Sequence, residues 1–465
     1  MGTKSRTVLL MLLAVLGFVA GGGTALADGA PSGTDIQVAQ TLGARELTVI
    51  IRRVDVTPSP LRVDVVTHQG TAPGTLHLAV AADGVVTSRG DVVLGAEPGV
   101  YAGNLQVDKP GPWELSLGDG TGTTATIPFI VPARVVPPWE KATYGGFVAA
   151  GVFLLLALVV AMRAKRTAFA LIPAGGVVAA LAVAVTGALL SASTPPPPAP
   201  GSQLDPTFDN VTDPYANAQL STVDYSRPPV NLAAHPAPGG LRLGLTDGAT
   251  GRPVDDLLIH DNALVHLVLV SPSGRMSHLH PVRVGPGDYR VSVADPEAGT
   301  YTVAAELVRR GGGVQLVRST VDMTGTAAPA PEPPGAGPRT VDGTPVELTI
   351  SPGTPTTITA HFRTQDLQPW LGMLGHLIVA GPITGQPGTD AATAPTWAHV
   401  HAMIPPVAGQ LDRPDETVAA YGPDVSFTYT FAAPGRYRIW LQAERGYRVL
   451  TIPAVVDVPT TGAGR

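Results

Sequence analysis

Two stretches of this chain tolerate only one kind of solvent. Residues 142–162 run without a charge, and residues 168–190 form a second apolar run, interrupted at Pro173-Ala174-Gly175-Gly176. At about 1.5 Å per residue, either run coiled as a helix spans a hydrocarbon layer of roughly 30 Å. The spacing therefore predicts a two-helix transmembrane hairpin, its second helix broken at the Pro-Gly step. Arg163, Lys165 and Arg166 crowd the connection 163–167, which the positive-inside rule puts in the cytoplasm, with both flanking regions outside. The N-terminus gives the same answer from other residues. Lys4 and Arg6 precede an apolar run over 8–20, and Ala25-Leu26-Ala27 follows as a small-x-small site, so residues 1–27 read as a signal peptide that exports what comes next. Neither span carries an acidic residue or a histidine, which leaves the hairpin without the polar lining of an ion pathway.

The rest of the chain is punctuated too densely for long helices, with 54 glycines and 47 prolines in 465 residues. Only 14% of residues are charged, 44% are hydrophobic and mean hydropathy is +0.21, as expected for a membrane-embedded protein. The formal net charge is −6, and the lysines Lys4, Lys109, Lys141 and Lys165 all lie in the first 165 residues. Such a balance offers nucleic acid no electrostatic footprint. The chain has no cysteine, so disulfides, thiolate metal sites and cysteine nucleophiles are excluded.

β-rich runs at 46–54, 61–68, 75–81, 100–107, 113–117 and 124–131, parted by Gly, Pro and Asp, predict an antiparallel sandwich within 28–141. Past the second span, 192–229 reads as a Pro-rich linker. The remainder is an internal duplication, 230–325 and 340–460, joined by a short linker at 326–339. His266-Leu267-Val268-Leu269 matches His376-Leu377-Ile378-Val379, His278-Leu279-His280 matches His399-Val400-His401, and Gly299-Thr300-Tyr301 matches Gly435-Arg436-Tyr437. The offset grows from 110 residues at the first anchor to 121 at the second, which places an insertion in the Gly/Pro-rich loop 381–396. A fainter copy sits before the membrane, with His77-Leu78-Ala79-Val80 and Gly111-Pro112-Trp113. The expected fold is thus all-β, three immunoglobulin-like sandwiches resting on apolar packing, plus the transmembrane hairpin.

Six of the 11 histidines form the repeated set: His266, His278, His280, His376, His399 and His401. Residues two apart on a strand share a face, about 6.6 Å apart, so each His-x-His pair can aim at one ion. Met276 and Met403 flank the two pairs at the same spacing. Imidazole with thioether, and no thiolate, favours copper over zinc or magnesium. The candidate metal ligands are accordingly His266, Met276, His278, His280, His376, His399, His401 and Met403, with copper as the expected ion. The structural alternative stays open, since strand histidines often satisfy a core through hydrogen bonds and methionine fills gaps. His260 is a weaker candidate because Trp370 stands at its place in the second copy.

The run Gly375-His376-Leu377, then His399-Val400-His401, then Pro434-Gly435-Arg436-Tyr437-Arg438 resembles a "GHL…HxHP…PGxYR" pattern of bacterial envelope sandwiches, and is similar to the YtkA-like and FixH-type family. His278-Leu279-His280-Pro281 keeps the full HxHP form, whereas the second copy has Ala402 in place of the proline. The resemblance implies an extracytoplasmic place among copper and heavy-metal handling systems. It makes a copper transporter or another envelope protein the expected partner. Gly-x-Ser-x-Gly, HExxH and phosphate-loop motifs are missing, and a non-enzymatic role is expected. The leading expectation is a two-pass, membrane-anchored metal-binding protein with its N- and C-terminal domains outside, buffering or delivering copper. The alternative is an envelope scaffold or sensor whose histidines are structural.

Overall fold

The computed structural model describes residues 35–131, 138–193, 227–404 and 415–460, apart from residues 53, 55, 121 and 165. The signal peptide 1–27 and most of the linker 192–229 lie outside the described residues. The chain forms two compact units, one holding the helical hairpin and the other all the β-structure.

In the first unit, α1 (Pro138–Arg163) and α2 (Leu171–Ser193) are joined through a 3-10 turn at Thr167–Ala170. Both helices are long and apolar enough to cross a membrane. The expected break in α2 does not occur. Pro173 falls in the first turn, where backbone N–H groups have no helical partner to lose. Glycines let the helices touch: a Cβ on Gly146 would meet the Ala180 carbonyl oxygen at 2.8 Å, and one on Gly187 the Trp139 carbonyl oxygen at 2.6 Å. Small residues at such crossings replace hydrophobic driving force with close van der Waals contact.

The second unit opens with β1 (Ile36–Leu42), β2 (Arg45–Ile51), β3 (Ser59–Thr67), β4 (Gly74–Ala82), β5 (Val85–Leu94), β6 (Gly99–Val107), β7 (Gly111–Gly118) and β8 (Thr124–Val131). They form two antiparallel sheets, β1-β2-β3-β6 and β5-β4-β7-β8, closed on a core around Trp113 and Phe129. The six expected strands are all present. The sequence reading missed β1 and β5. Both are edge strands, and β5 carries Ser88-Arg89-Gly90-Asp91 at its centre, a composition that reads as a turn although edges tolerate it.

The duplicated half continues with β9 (Val230–Ala237), β10 (Gly240–Asp247), β11 (Leu257–Leu258), β12 (Val265–Val270), β13 (Met276–Leu279), β14 (Val282–Gly285), β15 (Asp288–Ser292), β16 (Gly299–Arg309) and β17 (Gly313–Met323). The second copy has β18 (Gly337–Val341), β19 (Thr344–Ser351), β20 (Thr356–His361), β21 (Leu367–Gln368), β22 (Gly375–Gly381), β23 (Thr396–Ala402), β24 (Asp424–Tyr429), β25 (Gly435–Arg445) and β26 (Arg448–Val458). The sheet β11-β16-β12-β13, with β17 on β16, repeats as β21-β25-β22-β23 with β26 on β25. The opposing sheets have diverged: β14-β15-β10-β9 in the first copy, β18-β19-β20-β24 in the second. Duplication therefore survives best in the sheet that bears the histidines.

Strand order also places the N-terminal sandwich in the series. There β5-β4-β7-β8 matches β13-β12-β16-β17 and β23-β22-β25-β26. His77 pairs with the residue seven past the Gly that opens β7, as His266 does with Glu306 and His376 with Gln442.

Both central strands are buried along their whole length, β12 and β22 alike. Their inner faces line the cores of their own sandwiches. Their outer faces meet: Val268, Val270, Met276 and Ala304 pack with Ile378, Ala380, Ile383, Ala391 and Trp440 in one apolar cluster. The insertion in loop 381–396 builds part of this contact. It folds as a short helix, α3 (Pro387–Thr393), whose Gly388 carbonyl accepts from the Thr302 hydroxyl at 2.9 Å. A Cβ on Gly388 would lie 2.2 Å from the Thr300 carbonyl oxygen, so only glycine permits that approach. The linker 326–339 is not free either. The Ala330 N–H donates to Ser273 Oγ of the first copy, the Val455 N–H of the second donates to the Pro334 carbonyl, and Glu332 pairs with Arg438.

The N-terminal sandwich docks on the same assembly along β1. The Ala39 N–H donates to the Asn262 carbonyl at 2.7 Å, and the Thr41 N–H to the His280 carbonyl at 2.8 Å. Arg283 reaches back to Glu114 at 2.8 Å. An edge strand that would otherwise expose unpaired backbone is covered in this way.

Candidate metal centre

Alternation along β12, β13, β22 and β23 brings the six repeated histidines to the two outer faces that meet, at one end of the apolar cluster. Within the first triad the ring centroids of His266, His278 and His280 lie 5.0–5.4 Å apart. In the second, His376, His399 and His401 are 4.5–5.3 Å apart. Each triad offers three nitrogens all within 4.8 Å of one another. Trp370 lies edge-on between the triads, with centroids 5.2 Å from His278 and 5.0 Å from His376.

The hydrogen bonds assign the ring protons. His266 Nε2 faces the His260 carbonyl at 3.0 Å, and His376 Nε2 faces the Trp370 carbonyl at 3.2 Å. A carbonyl only accepts, so both Nε2 atoms carry the hydrogen and both Nδ1 atoms are lone pairs. His278 Nδ1 faces Gln442 Oε1 at 3.0 Å. The Nε2 of that amide in turn donates to Thr451 Oγ1 at 2.9 Å. His399 Nδ1 faces Glu306 at 3.3 Å, His280 Nδ1 faces Glu46 at 2.7 Å, and His401 Nδ1 lies 3.6 Å from Asp261. In these four rings Nδ1 meets the outer partner, which leaves Nε2 as the nitrogen that could hold an ion.

Each triad thus has one Nδ1 and two Nε2 atoms that its outer partners leave over. His266 Nδ1 lies 3.2 Å from His278 Nε2, and His376 Nδ1 lies 3.1 Å from His399 Nε2. His280 Nε2 and His401 Nε2 are buried with no hydrogen-bond partner. A buried polar atom without a partner is costly in a dry interior, and ligands of a tetrahedral ion with bonds of about 2.0–2.1 Å sit roughly 3.3 Å apart. The outer partners also fit, since metal-bound imidazoles usually donate their second N–H to a carboxylate or carbonyl. Burial, reinforced by the neighbouring imidazoles, holds His266, His278 and His376 well below the usual imidazole range. Burial and His399 also lower His401, against the pull of Asp261 and Glu306. Burial would raise the Glu306 carboxyl, but His399, with His260 and His401 behind it, holds it below the usual carboxylate range.

The two methionines are placed elsewhere. Met276 is buried in the apolar cluster between the copies, and Met403 is 66% exposed. The donor set that converges is imidazole. His260 contributes its carbonyl to His266, and its ring pairs with Asp261 at 3.1 Å. The sequence reading did not find Glu46, Asp261, Glu306 or Gln442. Glu306 and Gln442 left a trace, each being a polar residue seven past the Gly that opens its strand. Glu46 left none, because it belongs to another sandwich.

A second buried polar group lies between the N-terminal sandwich and the second copy. His68 Nδ1 donates to Glu444 at 2.6 Å, its Nε2 meets Thr48 at 3.2 Å, and Glu416 is close by. Burial alone would lower His68, but Glu444, with Glu416 and Glu46 behind it, raises the imidazole to about 9. Burial pushes the Glu416 carboxyl up to about 7.

Residues 339–460 match a family described as a domain of unknown function (DUF8832). The match coincides with the second copy. No curated protein matches the chain. Among solved structures, a tetra-tandem repeat from the extending region of a large adhesion protein is 11% identical, covering 91% of this chain and 74% of its own, with a TM-score of 0.16. Dimeric latent PorU from Porphyromonas gingivalis is 10% identical, covering 92% and 34%, with a TM-score of 0.15. A putative membrane anchored protein from Corynebacterium diphtheriae is 8% identical, covering 90% of each chain, with a TM-score of 0.14. Likenesses this slight say nothing of function.

Proposed function

We propose that this chain is a membrane-anchored, extracytoplasmic metal-binding protein that holds copper through the imidazoles of its duplicated sandwiches, to buffer the ion or pass it to a partner. The observation that carries this reading is that each triad brings three imidazole nitrogens within 4.8 Å of one another, with His280 Nε2 and His401 Nε2 buried and unpartnered. A cation gives those two nitrogens the partner that the hydrogen-bonded core does not. Copper stands first because it heads the affinity order for nitrogen ligands and the chain has no thiolate to favour zinc. The basic connection 163–167 supports a hairpin whose flanking sandwiches face away from the cytoplasm. The resemblance to the YtkA-like and FixH-type sandwiches supports the same place and ligand class, and a copper transporter or another envelope protein is the partner such a module would serve.

An envelope scaffold is the second reading, and one observation favours it. Four of the six imidazoles meet their outer partner in another sandwich, so the cluster also fastens domains together. The test is an anaerobic copper titration of the full chain in detergent, with zinc in parallel and His278, His280, His399 and His401 changed together to Gln. Saturable copper binding that the variant loses is the expected result. A folded wild-type chain that binds neither ion would overturn the metal reading and leave the scaffold.

A further inference from the structure

The two triads need not act separately. Each supplies three imidazole nitrogens of its own, which is a complete protein ligand set for one ion with an open position. Yet rings of opposite triads are as close as rings of the same one. The His278 and His399 centroids are 5.2 Å apart, His266 and His399 5.5 Å, and His278 and His376 5.6 Å. The outer partners are exchanged in the manner of a two-fold interface. Gln442 of the second copy orients His278 of the first, and Glu306 of the first orients His399 of the second. Those two partners occupy the same position in the repeat, opposite His376 and His266 respectively. Neither triad is shaped without the other copy.

We infer that the two triads hold a coupled pair of metal ions, one in each, as a single dinuclear centre on the pseudo-two-fold axis of the duplication. Charge is consistent with two cations. The carboxylates of Glu46, Glu306 and Asp261 stand directly behind three of the six imidazoles, and buried ions need such compensation. The indole ring of Trp370 lies edge-on to a ring of each triad, and its N–H is buried without a partner. Duplication of a one-ion sandwich, followed by face-to-face docking, would produce this arrangement directly.

This inference rests on the metal reading above, and the experiment separates the two. The full chain in detergent is loaded with Cu(II), which outcompetes other divalent ions at nitrogen sites, and examined by metal analysis and electron paramagnetic resonance with spin counting. The expected result is two copper ions per chain, with a spin count below two or a half-field transition. His280→Gln and His401→Gln are each expected to retain one ion and to give a plain mononuclear spectrum, with a thermal melt confirming that they fold. Two ions whose spectrum is the sum of those of the two variants would overturn the coupling while leaving metal binding intact. One ion per wild-type chain would overturn the pair. No copper on the folded chain would overturn the metal reading and this inference with it. The wild-type stoichiometry and spin count decide the matter even where a variant fails to fold.

Discussion

The histidines buried at contacts between the sandwiches of this protein do not share one charge state. The six of the double triad face one another and backbone or side-chain oxygens, and His266, His278 and His376 are held neutral. His68 is equally buried, but two glutamates with a third behind them hold it as an imidazolium up to about pH 9. Burial by itself pushes every imidazole toward neutrality. Carboxylates close enough to the ring reverse that outcome at His68. A buried neutral imidazole is a metal ligand in waiting, whereas a buried imidazolium is one half of an ion pair.

The largest expected effect comes from breaking the ion pair. Glu444→Ala would leave His68 buried without its main counter-charge, a loss of about 3–5 kcal/mol for a pair of this kind. Chemical denaturation of the full chain measures it, and a loss below about 1 kcal/mol would mean that His68 is not held charged by Glu444.

Next, the metal-free protein is expected to lose stability toward both ends of the pH range, for opposite reasons. His266, His278 and His376 titrate below 6.5 when folded, so their contribution is complete above that value and is lost as pH falls beneath it. His68 titrates at about 9 folded against 6.5 unfolded, so its contribution is complete below 6.5 and is lost as pH rises through about 9. Glu416, raised from 4.5 to about 7, withdraws its contribution between those two values as pH rises. Glu444→Gln is expected to flatten the alkaline limb and keep the acid one. Denaturation midpoints of both proteins at about pH 5, 7 and 10 check this, and an unchanged alkaline limb would detach it from His68.

A smaller effect is expected from the outer partners of the triads. Gln442→Ala and Glu306→Ala each leave one imidazole without its orienting acceptor, and loss of such a partner lowers metal affinity by about 10–100-fold. Competition titration against a chelator reads the change, and equal affinities for variant and wild type would show that the partners only fasten domains.

The smallest effect belongs to the third copy. At the register of His266 and His280 the N-terminal sandwich has His77 and Asp91, paired at 2.8 Å on an exposed face. His77→Ala is expected to change stability by less than about 0.5 kcal/mol, and a larger loss in a thermal melt would mean that the pair does more than hold a solvated contact.

The alternation of apolar residues, the turn signals and the three repeated anchors made the sandwiches and their duplication legible. β5 was illegible because an edge strand need bury only one face, and its polar centre mimics a loop. Pro173 misled for a related reason: its effect on a helix depends on where the first turn begins, and only the folded hairpin fixes that. The histidine set was readable to the residue because alternation makes i and i+2 neighbours on any strand. The thioethers at the same spacing were expected at the site, but alternation fixes only the face of the sheet. Position along that face is decided by packing, which put Met276 into the apolar contact and left Met403 in solvent.

By itself, then, the sequence determined everything that depends on spacing along the chain: two helices of spanning length, strands of period two, a duplicated sheet and two histidine triads. Only the tertiary structure decided that the triads share one contact, that Glu46 of another sandwich stands behind His280, and that His68 is held charged while His266, His278 and His376 are held neutral. Those outcomes depend on which surfaces meet, and the electrostatics of a buried group are set by neighbours as distant in sequence as Glu444 is from His68, 376 residues on.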